Sequence, residues 1–184
     1  NSSLGVYFND FMSFQEIHNP AQEFFGFLPI NWQNELLPQW SRLSKSSKVF
    51  GLYDGNGPGT LVTIGIVFHT QLPKLTPYEK TLKTQLKGYS YIGYVYTMPE
   101  FRGKGCASNW FLGLQAHYPK HNFWLTIEEP ALANFYKKNN FKLFTEPSSA
   151  DTGEEICLIL RQNPLDPIHW GIPYSTKYFS FWVF

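Results

Sequence analysis

The chain has 184 residues, enough for one domain that buries about two-thirds of its unfolded surface. Its 15 basic and 14 acidic side chains leave a formal charge of +1, so there is no electrostatic case for general binding to nucleic acid or to a membrane surface. The apolar runs fall short of the ~20 residues that a spanning helix requires, the start Asn-Ser-Ser lacks a leader's basic and apolar regions, and two cysteines make no disulfide framework, so a cytoplasmic location is expected.

Phe8, Phe11, Phe14 and Ile17 recur at helical spacing before Pro20, and Trp32, Leu36, Leu37, Trp40 and Leu43 form a second stripe, so two helices are predicted before residue 48. Residues 49–53 and 61–68 are β-rich and flank Asp-Gly-Asn-Gly-Pro-Gly, a reversing turn, which makes a hairpin. Residues 71–88 are polar and Lys-rich, with Pro77 suited to a first helical turn and Gly88 to its end; this excursion is either a solvated connector or a lid. A central strand is predicted over 89–97, a helix over 105–118, a strand over 123–127, a helix over 130–138, and closing strands over 141–144 and 156–160. His117 and His121 have the spacing of a metal pair, but Pro119 breaks the helix that would align them, so no metal is expected. The order of elements predicts an α/β (α+β) domain with a sheet of mixed direction. Residues 162–184 form an aromatic extension that must pack on this domain or on a second copy, as a homodimer; Phe179, Phe181 and Val183 alternate as in a strand.

The most informative stretch is Tyr-Val-Tyr-Thr-Met-Pro-Glu-Phe-Arg-Gly-Lys-Gly-Cys-Ala, residues 94–107: a strand, a tight loop and a helix start. Unpaired N–H groups and the helix macrodipole make such a junction an anion cradle, glycines clear space for the anion, and Arg102 and Lys104 add full charges. It is neither a Walker loop, which needs Gly-Lys-Ser/Thr, nor a dinucleotide fingerprint, because Ser108 stands where a third glycine belongs. Arg102, Gly105 and Ala107 instead follow Arg/Gln-x-x-Gly-x-Gly/Ala, and Ala-Asn-Phe-Tyr-Lys-Lys-Asn-Asn-Phe follows at 133–141. With the leading strand, the two blocks resemble the GNAT superfamily of acyl-CoA N-acyltransferases over about residues 48–161.

That resemblance implies a single GNAT-like domain over 1–184, a mixed central sheet flanked by helices, and two splayed strands forming an acetyl-CoA cleft. It implies that Val95, Tyr96 and Thr97 offer backbone groups to the pantetheine arm and acetyl oxygen, that Arg102, Gly103, Lys104, Gly105, Cys106 and Ala107 hold the pyrophosphate, and that Tyr136 is the general acid. The reaction implied is direct attack on acetyl-CoA, in a ternary complex, by a small-molecule or peptide amine. Asn140 replaces the family's glycine after Tyr136, a mild exchange where a left-handed turn ends a helix. Glu129 and Leu132 replace the family's asparagine and alanine at the pantetheine, with Asn134 a substitute contact on the same helix. Glu128 and Glu129 either face the acceptor, as attraction for a cation or as proton acceptor through water, or are solvated surface charges. Cys106 sits where a helix start would lower a thiol pKa, but at the pyrophosphate rather than the thioester. There is no Gly-x-Ser-x-Gly elbow and no His followed by Asp four residues on, so other acyltransferase designs are not supported. The altered pantetheine positions leave one alternative, a CoA-binding regulatory module with weakened turnover.

Overall fold

Among the residues that this computed structural model describes, 6–8, 12–18, 22–55, 59–145 and 155–163, eight strands form one sheet. They are β1 (Val6–Phe8), β2 (Met12–Glu16), β3 (Ser47–Asp54), β4 (Thr60–Phe68), β5 (Ser90–Thr97), β6 (Phe123–Ile127), β7 (Lys142–Thr145) and β8 (Ile156–Leu160). Their spatial order is β1-β2-β3-β4-β5-β6-β8-β7. Neighbours are antiparallel except β5 and β6, which are parallel. The expected mixed sheet is present, and β6 and β8 have the predicted bounds. The aromatic extension beyond Asn163 lies outside the described residues.

The first predicted helix is instead the β1–β2 pair. β2 registers on β3 from Met12↔Asp54 to Glu16↔Phe50, so it supplies partners to a strand edge whose N–H and C=O groups would otherwise be unpaired. Phe14 stacks on Phe50 with ring centroids 5.1 Å apart. A three-residue recurrence of phenylalanine across two short strands imitates the helical period, and here the demand of the sheet edge outweighs it. The second stripe forms α2 (Ile30–Leu36), a 3₁₀ turn (Leu37–Gln39) and α3 (Trp40–Leu43), preceded by a one-turn α1 (Gln22–Phe25).

Helices cover both faces. Phe24, Leu28, Leu36 and Leu43 from the α1–α3 region pack on Ile64, Ile66 and Phe68. Next to them α4 (Pro77–Gln85) sets Leu82 against Trp124, Cys157 and Ile159. Its start is fixed by a capping box: Thr76 Oγ1 accepts from the Glu79 N–H, and the Glu79 carboxylate accepts from the Thr76 N–H. On the other face α5 (Cys106–His117) buries Trp110, Phe111 and Leu114, and α6 (Ala133–Lys138) closes over Phe111 and Phe141 with Phe135 and Tyr136. Asn140 adopts φ +70° after α6, the left-handed turn expected there. Both cysteines are free and buried.

At the sheet end remote from the cradle, the buried Ser90 hydroxyl joins two imidazoles, His69 Nδ1 at 2.7 Å and His121 Nε2 at 2.7 Å. The hydroxyl has one proton and two lone pairs, so it can donate to one ring while accepting from the other. Burial, then the neighbouring His121, lowers the His69 pKa; burial also lowers that of His117, against the opposing pull of Glu16. Both folded values therefore lie below the unfolded value of about 6.5, and the folded state binds these protons less readily. Their contribution to stability is complete above about pH 6.5 and is lost as pH falls through the folded values. Thermal melting at about pH 8, 6.5 and 5 should show a lower Tm at acid pH, with a shallower fall in His69→Gln; equal slopes in both proteins would remove His69 as a cause.

Candidate active site

The site begins where a strand pairing stops. The parallel strands β5 and β6 register only at Ser90↔Phe123 and Tyr91↔Trp124, after which β5 runs on to Thr97 and β6 to Ile127 unpaired with each other. There β5 also bulges, because Ile64 opposes Tyr96 and Ile66 opposes Gly93, leaving Gly65 to face both Tyr94 and Val95. Tyr94 takes φ +57°, uncommon for a residue other than glycine. Such a bulge bends its strand and takes backbone groups out of the ladder, so they become available to a ligand. The opening is a cavity of about 460 Å³ whose walls include Val95, Leu125, Ile127 and Tyr136.

Tyr136 packs its ring against Phe111, Phe135 and Phe141, with centroids 5.6, 5.1 and 5.6 Å away. Burial pushes its phenol up to about 12, so it stays protonated at neutral pH. Among the described residues its hydroxyl has no hydrogen-bond partner.

Beyond the end of β5, a 3₁₀ turn (Pro99–Phe101) leads through Arg102, Gly103, Lys104 and Gly105 into α5. Gly103 and Gly105 have φ +72° and +78°, and a Cβ at either would meet nothing within 4 Å. The left-handed backbone thus calls for glycine at both positions. Arg102 Nε donates to the Thr97 carbonyl at 3.1 Å and its guanidinium lies 5.3 Å from the Tyr96 ring, so the charge is anchored at the mouth of the loop. Lys104 lies over the Phe101 ring, and Ala107 follows in the first turn of α5. Cys106 departs from expectation: burial, then the Asp54 carboxylate, raises its thiol pKa against the lowering pull of Lys104 and a backbone hydrogen bond.

The cavity wall is acidic. Glu35 of α2, Glu79 of α4, Glu128 and Glu129 after β6, and Glu155 before β8 all line it, with Lys74 as the cation among them. Glu128 and Glu129 are exposed, whereas Glu79 is only 6% exposed. Glu79 Oε1 accepts from the Thr126 hydroxyl at 2.6 Å and the Tyr91 hydroxyl at 3.1 Å, and Oε2 from the Thr76 N–H at 2.9 Å. The Thr76 hydroxyl donates in turn to Glu155 Oε2 at 2.9 Å. Trp32 stands over the strand with its ring 5.6 Å from that of Tyr94, whose phenol is raised by burial and then by Glu35.

The structure therefore brings Val95 and Tyr136 into one cavity wall with Glu128, Glu129 and Leu132. Tyr96 and Thr97 lie farther along β5, where Thr97 Oγ1 meets Thr63 Oγ1 at 2.9 Å. Asn134 is exposed on α6 and is not part of the cavity wall. Sequence reasoning missed Glu35, Glu79 and Glu155. For Glu79 a signal existed, since Thr-Pro-Tyr-Glu at 76–79 is a capping-box sequence, although a cap alone does not say that the carboxylate reaches the sheet.

No protein-family model matches the chain, and no curated protein matches it. Solved structures do. Spermidine N-acetyltransferase from Vibrio cholerae, solved with CoA and spermine, is 13% identical with a TM-score of 0.58, covering 84% of this chain and 97% of that one. A Klebsiella pneumoniae protein assigned as an acyl-CoA N-acyltransferase is 16% identical with a TM-score of 0.55, covering 82% and 97%. A structure of histone acetyltransferase HPA2 and related acetyltransferase from Corynebacterium glutamicum is 16% identical with a TM-score of 0.51, covering 79% and 83%. Likeness at these identities speaks to the fold, and it agrees with the parted strands, the bulge and the glycine loop: the chain has the fold of the GNAT acyltransferase superfamily.

Proposed function

We propose that the chain is an acetyl-CoA-dependent N-acetyltransferase whose acceptor is a cationic primary amine. The observation that carries this reading is the juxtaposition in one cavity of a strand bulge, a protonated tyrosine and five carboxylates against one lysine. An amine acceptor is a cation at neutral pH, and an acidic wall raises its local concentration. The acetyltransferase neighbour solved with spermine is consistent with an acceptor of that kind.

The residues present fit the cosubstrate. Backbone N–H groups of the left-handed loop and the first turn of α5, with Arg102 and Lys104, would hold the pyrophosphate. The bulged backbone at Val95 would bind the pantetheine arm and polarise the acetyl carbonyl. Acetyl-CoA supplies an activated acyl group as a thioester. Tyr136 would donate the proton that the departing thiolate needs. Direct attack requires no covalent nucleophile on the protein, which agrees with the raised thiol of Cys106.

Thiol release in the presence of acetyl-CoA and a panel of amines tests the proposal. Steady, amine-dependent release is expected; a thermal shift with CoA but no release with any amine would favour a CoA-binding regulatory module instead. The cradle has its own test. Gly105→Val forces a β-branched residue to φ +78°, so CoA binding should weaken by more than for an exposed substitution elsewhere. Unchanged CoA affinity by calorimetry would remove the loop from the cofactor site.

A further inference from the structure

We propose that Glu155 is the catalytic proton acceptor for the amine and that Glu79 is its positioning partner; this deepens the acetyl-transfer reading and rests on it. An alkylammonium with a pKa near 10 has no lone pair for attack, so a base must stand in the cavity that Tyr136 lines. The five carboxylates differ in their freedom to act. Both Glu79 oxygens are taken up by three donors in the dry space between α4 and the sheet. Glu128 and Glu129 are exposed to water, and Glu35 faces the Tyr94 phenol. Glu155 is half-buried, has one oxygen fixed by the Thr76 hydroxyl, and has no partner for the other among the described residues.

The electrostatics point the same way. Burial raises the Glu155 pKa, the Thr76 hydrogen bond opposes this, and the Glu79 and Glu128 carboxylates add to it. The remaining charged and titratable groups on the cavity wall are Glu35, Lys74 and Glu129, with the phenols of Tyr91, Tyr94 and Tyr136. Glu79 acts through the shared Thr76, whose hydroxyl accepts from the Glu79 N–H and donates to Glu155. The capping box of α4 thereby sets the orientation of the base.

Glu155 takes one proton from the ammonium, and the freed lone pair forms the C–N bond at the acetyl carbon. As the C–S bond breaks, the thiolate takes the Tyr136 proton, and the tyrosinate regains one from the attacking nitrogen. Products are the amide and the free thiol, and the proton on Glu155 leaves to solvent.

The test is the pH profile of kcat/KM for full-length protein, using acetyl-CoA and an alkylamine that the wild type acetylates. With Glu155 as base the wild type should hold a plateau through neutral pH. Glu155→Gln should fall about 10²-fold near pH 7 and then rise tenfold per pH unit, because only amine already neutral can react. A weakly basic amine, neutral at pH 7, should restore Glu155→Gln to within a few-fold of wild type. Thr76→Val removes the interaction that lowers the Glu155 pKa, so it should move the acid limb of the profile to higher pH, and this readout stands if Glu155→Gln does not fold. A Glu155→Gln profile of wild-type shape, or an acid limb unmoved in Thr76→Val, overturns the assignment while leaving acetyl transfer intact. Failure of the wild type to turn over any amine overturns the acetyl-transfer reading itself.

Discussion

Tyr136→Phe is expected to lower the acetylation rate by about 10²-fold or more while CoA affinity stays nearly intact. The substitution is clean because the ring is held on three sides by Phe111, Phe135 and Phe141, and phenylalanine keeps those contacts. Only the hydroxyl of this cavity-lining residue is lost, and it has no hydrogen-bond partner among the described residues. Its pKa of about 12 carries a further consequence. A phenol so far above a thiol's ordinary value of about 8.5 does not surrender its proton outright; it does so as another proton returns from the attacking nitrogen. The wild-type rate should therefore show a solvent deuterium isotope effect when chemistry limits turnover, and Tyr136→Phe should diminish it. A mutant with wild-type rate in such an assay would make Tyr136 a packing residue.

The two ends of this site were unequally legible in the sequence. The glycine loop's conformation was plain, because left-handed turns and helix starts are local: Gly103 and Gly105 have the positive φ, Cys106 opens α5, and Asn140 turns the chain after α6. Strands β6 and β8 were equally plain, being short continuous apolar runs bounded by polar residues. The bulge was not, since the residue at φ +57° is Tyr94 while Gly93, the residue a reader would choose, stands beside it. The extra residue is imposed by register against β4 and is invisible in β5 alone. Nor was the acidic wall legible, because Glu35, Glu79, Glu128 and Glu155 come from separate segments and converge only when α2, α4 and β8 dock around the parted strands. The N-terminal strands were misread because the pairing demand of the β3 edge is a tertiary fact.

What fixes the cradle relative to the bulge is the seat of Trp110 on Gly65, and its removal should cost about 3–5 kcal/mol of stability. Trp110 is fully buried one turn into α5, and its indole N–H donates to the Phe50 carbonyl at 3.0 Å. Its ring lies on Gly65, where a methyl would come within 2.7 Å of Trp110 Cη2. Gly65 is the residue of β4 that faces the bulge of β5, so the ring ties the helix that begins at the cradle to the strand pair that opens the cavity. Gly65→Ala should therefore destabilise by about 1–3 kcal/mol through overpacking, and CoA affinity should fall with it as α5 is pushed off the sheet. The pair should not be additive. In a Trp110→Ala background the new methyl enters vacated space, so adding Gly65→Ala should cost much less than it does in the wild type. Denaturant unfolding of the two single variants and the double variant measures this directly, and fully additive losses would show that the ring does not seat on Gly65.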